Sequence, residues 1–192
     1  MSKSDSDSRK KGKQTKAGWI ITIFLLTIAI SAIISFCSAQ LMAVSTMAVA
    51  FAILLLIVLI GIVFDIIGVA VTSADEKPFH SMASRKVIGA HEAIGLLRKA
   101  DKVSSICCDV IGDICGVVSG SASAAIVTQI LANFDFSIPQ IVSLGMSALV
   151  AGLTVGGKAI GKGFAIGSST TIVHTVGKVV WSFRYLFHKK EK

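Results

Sequence analysis

A run of 48 residues without a charged side chain, from Ala17 to Phe64, sets the strongest limit on the fold of this 192-residue chain. One membrane-spanning helix needs only about 20 apolar residues, so the run has room for two. The whole chain has a mean hydropathy of +0.78 and contains 16% charged residues, whereas soluble domains contain roughly 25%. The sequence therefore predicts an integral membrane protein.

The basic residues of the chain are confined to a few segments. All nineteen Lys and Arg lie in the tail up to Lys16, in a polar island at 73–102, or from Lys158 onwards. Lys and Arg concentrate on the cytoplasmic side of membrane proteins. We therefore expect a multi-pass protein of the plasma membrane with the island and both termini in the cytoplasm. This arrangement explains the net charge of +8 without a nucleic-acid partner.

The expected fold class is an all-α membrane protein of about four transmembrane helices, with a cytoplasmic juxtamembrane helical segment and an amphipathic C-terminal helix. The spans are predicted at about Gly18–Ser38, Met42–Val71, Val103–Asn133 and from Pro139 to about Gly157.

The expected segments are a disordered basic tail at 1–17, an extra N-terminal helix at 18–40, a transmembrane domain at 41–187 and a basic tail at 188–192. Pro78 is expected to break the chain at the start of the island, with helical structure resuming at Ser84. Lys158 is expected at the cytoplasmic end of the fourth helix.

Two carboxylates of the third helix are the first candidates for a functional site. Asp109 and Asp113 stand four residues apart and therefore share one helix face. Each would cost about 2.5–3.5 kcal/mol at the bilayer centre, and no Lys or Arg is expected at that depth. Mg²⁺ is a suitable partner because it binds one or two carboxylates and keeps several waters. The alternative is that both acids are protonated and hydrogen-bonded in a packed interface.

Other residues give further candidates. Asp65 lies about 12 Å along the second helix from the island, where it should face protein or water. Ser73 and Glu76 either cap the next helix or support a cation.

Two overlapping GxxxG steps in the third helix, formed by Gly112, Gly116 and Gly120, permit close helix contact. The four cysteines lack metal-site spacing and are interpreted as small buried thiols. No hydrolase or kinase motif occurs, so an enzyme is not expected.

These motifs resemble the transmembrane domain of the CNNM/CorC (CorB) family of magnesium and cobalt transporters. The sequence from Ser73 to Glu76 is similar to the Ser-x-x-Glu motif that follows the family's first helix. Asp109 and Asp113 stand at the two Asn positions of the family's Gly-Asn-x-x-x-Asn helix. The sequence TVGGK, ending at Lys158, stands where the family has Glu-x-x-Pro-Lys, and only its lysine matches.

The resemblance implies a homodimeric transporter of a divalent metal cation, Mg²⁺ or Co²⁺, in the lipid bilayer. It implies that Ser73, Glu76, Asp109 and Asp113 form a magnesium site. Lys158, Thr154 and Asp65 are candidates for a gate or support. The chain ends where the family usually continues into nucleotide-binding CBS domains, so we expect that regulation to be absent. The alternative function is a membrane scaffold or partner subunit that has lost transport.

Overall fold

The computed structural model describes residues 21–38, 40, 46–133 and 138–188, and every regular element within them is a helix. A π-helical segment, Ser105–Ile111, joins α5 to α6. The helices are α1 (Ile21–Ser38), α2 (Met47–Ser73), α3 (Lys77–Ser84), α4 (Ala90–Leu97), α5 (Ala100–Ser104), α6 (Gly112–Asn133), α7 (Pro139–Gly167) and α8 (Ser169–His188).

Four helices are long and apolar enough to cross a membrane: α1, α2, the continuous rod from α5 through α6, and α7. This confirms the predicted all-α membrane fold with four spans. The predicted tails at 1–17 and 188–192 lie largely outside the described residues.

Two predicted boundaries are wrong. Helix α7 runs on to Gly167 instead of ending near Gly157, because the bundle accommodates the charge of Lys158 inside the helix. In the island, α3 already begins at Lys77 and holds Pro78 in its first turn, where a missing backbone N–H costs nothing. The chain breaks at 74–76, before Pro78, and again at 85–89, so the helix predicted to resume at Ser84 ends there instead.

Helix α2 is the centre of the bundle and packs against both α6 and α7. Its buried residues recur every three or four positions, which is the spacing of a single helix face. They include Ala50, Leu54, Val58, Gly61, Asp65 and Gly68. Asp65 therefore points into the bundle by the same periodicity that buries its apolar neighbours.

The core of the bundle has three layers. One hydrophobic cluster, which includes Val71, Phe79 and Val173, lies at the island end. A second, which includes Leu54 and Ile126, lies towards the opposite end. Small residues separate the clusters: a Cβ at Gly61 would be 2.9 Å from Cys115 Cβ, and one at Gly68 would be 3.2 Å from Cys107 Cβ. Glycine and cysteine therefore allow close contact between α2 and the third span in this middle layer.

Helix α1 packs against the outside of α6. Its partly buried Ile23 and Ile30 contact a small cluster formed by Val110, Ile114 and Val118. Most of the remaining surface of α1 is exposed in the single chain. The predicted extra helix is thus an addition to the side of the α2–α6–α7 bundle.

Helix α8 lies on the island. The Nε2 atom of His174 is 3.2 Å from the carbonyl oxygen of Ile88. Gly177 lies directly against the carbonyl oxygen of Gly89. Among the described helices, α8 is not one of those apolar enough to span a membrane. The predicted amphipathic C-terminal helix therefore packs on the island end of the bundle.

Replacing Gly89 with alanine is expected to destabilise this contact. Gly89 has a φ of +83°, and a Cβ would approach the amide nitrogen of Lys178 to 2.6 Å. A left-handed conformation alone costs other residues about 1–2 kcal/mol. Thermal unfolding in detergent should therefore show a lower Tm. Gly95→Ala is the control, because Gly95 has open space around it and alanine is the better helix former. Equal Tm values for the two variants would contradict this packing.

Candidate functional site

An ion pair lies in the middle layer of the bundle. The carboxylate oxygen Oδ1 of Asp65 is 3.7 Å from Nζ of Lys158. The Asp65 side chain is 7% exposed and the Lys158 side chain is 23% exposed. A direct charge-assisted hydrogen bond would measure about 2.7–2.9 Å. The two charges are therefore paired without being joined by a short hydrogen bond.

The second carboxylate oxygen of Asp65 is an exception to normal burial. Its Oδ2 atom is fully buried and has no hydrogen-bond partner among the described residues. Buried polar atoms are nearly always hydrogen-bonded in folded proteins. An unpartnered carboxylate oxygen costs free energy, so this atom marks a place where the fold is not optimised for stability alone.

Glycines make the room for the pair. A Cβ at Gly112 would lie 3.2 Å from Nζ of Lys158, so any larger residue would crowd the ammonium group. Gly157 and Gly161, on either side of Lys158 in sequence, bring the α7 backbone against Ile62 and Ile66 of α2. These contacts fix the register that places Lys158 opposite Asp65.

The π-helical segment borders the ion pair. The N–H of Gly112 donates to the carbonyl oxygen of Cys107, five residues earlier. The thiol of Cys108 lies 3.7 Å from the backbone oxygen of Asp65 and 3.8 Å from the hydroxyl of Ser104. Single π-helical turns inside α-helices occur frequently at functional sites. The irregular turn of this span thus coincides with its charged layer.

A groove between α6 and α7 leads away from the ion pair. It has a volume of about 270 Å³ and is lined by small and hydroxylated residues, among them Gly116, Ser119, Gly120, Ser123, Ser147 and Thr154. Gly116 lies one helical turn from Gly112, and Thr154 lies one turn from Lys158. The groove therefore runs from the charged layer towards the end of the bundle opposite the island.

The structure places Asp109 and Asp113 on the exposed side of their span. They share one face, as predicted. The expectation that no Lys or Arg lies at this depth is wrong, because Lys158 contacts the same span at Gly112. Among the described residues, no group of three or more His, Cys, Asp or Glu side chains could hold a metal ion.

The other predicted site residues are dispersed. Ser73 is the last residue of α2 and does not cap α3. Glu76 accepts a hydrogen bond from Nε of Arg98 at 3.3 Å and lies 3.8 Å from Nε2 of His80. The hydroxyl of Thr154 donates to the carbonyl oxygen of Val150. Ser73 and Glu76 therefore belong to the island end and not to the charged layer.

Sequence reasoning identifies Asp65 and Lys158 separately but misses their pairing. A signal for it exists in the spacing of the glycines. Gly61 and Gly68 flank Asp65 within one helix face, and Gly157 and Gly161 flank Lys158. Small residues on both sides of a charge indicate that another backbone comes close at that charge.

The cysteines agree only in part with their interpretation as buried thiols. Cys107 is buried, Cys108 and Cys115 are half-buried, and Cys37 is exposed near the end of α1.

No family model, curated protein or solved structure matches this chain. The resemblance to the CNNM/CorC family consequently stays a prediction based on short motifs, and the buried ion pair is the firmest basis for a function.

Proposed function

We propose that this protein transports a divalent metal cation, Mg²⁺ or Co²⁺, and that Asp65 is the carboxylate that receives the ion inside the bundle. The observation that carries the proposal is the Asp65–Lys158 pair, which lies deep between spanning helices. Ionisable residues within spanning segments are costly and commonly mark ion pathways.

The carboxylate of Asp65 suits a cation. Mg²⁺ usually keeps several waters and needs only one or two carboxylates from the protein. The unpartnered Oδ2 atom of Asp65 supplies a ligand oxygen that no group among the described residues occupies. The space beside Gly61 and Gly68 is filled by cysteine side chains and the space beside Gly112 by Nζ of Lys158, so these side chains must move to admit a hydrated ion. The proposed site therefore supplies one charge and one free oxygen, next to small side chains and a flexible lysine.

The groove between α6 and α7 is the proposed entry route. Its serine and threonine hydroxyls offer hydrogen bonds to the waters of an entering ion. At the island end, the cluster containing Phe79 and Val173 closes the core. Passage of an ion would require that cluster to open, as expected for alternating access around a central site.

The proposed orientation has the island and both termini in the cytoplasm of a plasma-membrane protein, because every Lys and Arg segment then lies on one side.

We also propose a homodimer. Asp109 and Asp113 are exposed on a membrane-spanning helix, where contact with lipid is costly. The face of this span that carries Asp109 and Asp113 is the proposed contact with a second copy.

Mg²⁺ uptake into proteoliposomes tests the function directly. A magnesium-sensitive dye inside the liposomes should report uptake by the parent protein above that of protein-free liposomes. Asp65→Asn should reduce the rate by about tenfold or more, the range seen when support of a metal ligand is lost. Asp101→Asn is the matched control, because Asp101 is exposed in the first turn of α5.

The second candidate function is a membrane scaffold or partner subunit. The exposure of Asp109 and Asp113 favours it, because carboxylates on the outside of a span suit a contact with another membrane protein. A parent protein with no uptake of either Mg²⁺ or Co²⁺ would support the scaffold and exclude transport. If uptake survives in Asp65→Asn but is lost in Asp109→Asn/Asp113→Asn, the cation site is formed by Asp109 and Asp113 and not by Asp65.

A further inference from the structure

Lys158 is a cation that the protein itself supplies to Asp65. Its ammonium group stands 3.7 Å from Oδ1, on the more exposed side of the pair, while Oδ2 has no partner among the described residues. A side chain whose sole purpose was to neutralise Asp65 would be expected to form a short charge-assisted hydrogen bond. The observed distance of 3.7 Å between Nζ and Oδ1 is longer than such a hydrogen bond.

The lysine stem allows the ammonium group to move. Lys158 has four flexible methylene groups, and its side chain is 23% exposed. Nζ occupies the space beside Gly112, and Thr154, one turn along α7, lines the adjacent groove. Rotation about the side-chain bonds of Lys158 is therefore the movement that would carry the ammonium group from Asp65 towards the groove.

We propose that Lys158 is a tethered competitor that holds the Asp65 carboxylate until a divalent cation displaces it. The inference rests on the proposed cation site at Asp65 and adds the residue that controls its occupancy. Displacement replaces one positive charge by two beside a buried carboxylate, and the ammonium group moves to the groove. The empty and occupied states thus both keep Asp65 compensated.

Competition has a consequence that simple ion binding lacks. Removing the competitor should increase the affinity of the site for the cation, because the ion no longer has to displace an internal charge. Allosteric and competitive couplings of this kind commonly change affinity by about 5–150-fold. Lys158→Met should therefore bind Mg²⁺ more tightly than the parent, although it should be less stable without the ion.

The test is thermal unfolding of the purified full chain in detergent during a titration with MgCl₂, at constant ionic strength maintained by choline chloride. A ligand that binds only the folded state raises the Tm by mass action. The Mg²⁺ concentration at half-maximal effect should be at least about fivefold lower in Lys158→Met than in the parent. Lys162→Met is the matched control, because Lys162 is an exposed lysine one turn further along α7.

Two more variants locate the site. Asp65→Asn and Asp65→Asn/Lys158→Met should both lose the Mg²⁺ effect, because the carboxylate has been removed. Should Lys158→Met fail to fold, Lys158→Gln carries the same expectation, since its amide removes the charge and still donates hydrogen bonds.

Equal half-maximal concentrations for the parent, the Lys158 variant and Lys162→Met would overturn the inference. A Mg²⁺ effect that persists in Asp65→Asn/Lys158→Met would overturn it as well, because the ion would then bind elsewhere. The outcome is separable from that of the uptake assay. If Lys158→Met binds Mg²⁺ more tightly but the parent shows no uptake, Lys158 competes with the cation and the protein is not a transporter. If the parent transports Mg²⁺ but Lys158→Met has the same affinity, the protein is a transporter and Lys158 does not compete.

Discussion

Replacing Gly161 with leucine is expected to force α2 and α7 apart and to destabilise the bundle by about 3 kcal/mol, the upper part of the usual range for overpacked cores. A Cβ at Gly161 would already lie 2.8 Å from Cγ1 and 3.0 Å from Cδ1 of Ile66. The remaining atoms of a leucine side chain have no space between these helices. Thermal unfolding in detergent and the monodisperse fraction in gel filtration measure the effect.

Gly163→Leu is the control for this substitution. Gly163 lies two residues further along α7, and a Cβ there would meet nothing within 4 Å. The same change in size and helix propensity should therefore leave the Tm nearly unchanged. If both leucine variants behave alike, α7 does not pack on Ile66 and the register that pairs Lys158 with Asp65 is wrong.

Asp65→Asn is expected to cost about 3 kcal/mol in the free energy of unfolding, because it leaves the Lys158 ammonium group in the bundle without a counter-charge. This lies at the lower end of the range for broken buried pairs, since Lys158 is partly exposed. Adding Lys158→Met should recover much of the loss, because an uncharged pair needs no compensation. Unfolding of both single variants and the double variant, without divalent cations, gives the coupling energy.

Lys162→Met again serves as the matched control and should change stability by no more than about 0.5 kcal/mol, as surface substitutions usually do. Additive losses in the Asp65→Asn/Lys158→Met variant would mean that the two charges do not interact. The pair would then be a coincidence of packing, and the site proposed around it would lose its basis.

The number and type of spans could be predicted because they depend on composition over whole segments. The charge-free run that covers α1 and most of α2 and the small polar break near Pro139 define the helices without knowledge of their packing. The end of α7 could not be predicted in the same way. A lysine such as Lys158 ends a span by composition alone, unless a carboxylate on another helix compensates it.

The site is harder to predict than the fold for a related reason. The sequence indicates the depth of Asp65 along α2, but the partner of Asp65 depends on how α7 slides along α2, which is decided by contacts such as Gly161 with Ile66. In α6, apolar and small residues surround the helix, so the sequence does not mark an inner face. The four-residue spacing of Asp109 and Asp113 correctly predicts that they share one helix face. It does not predict whether that face points into the bundle or away from it.

The junction between α7 and α8 has a mechanical consequence. Ser168 is the sole residue between the two helices, and Gly177 of α8 lies against the carbonyl oxygen of Gly89 in the island. Movement of α7 along its axis must therefore carry α8 with it or separate these two glycines. The position of Lys158 on α7 is thus coupled to the position of the island through Ser168 and α8.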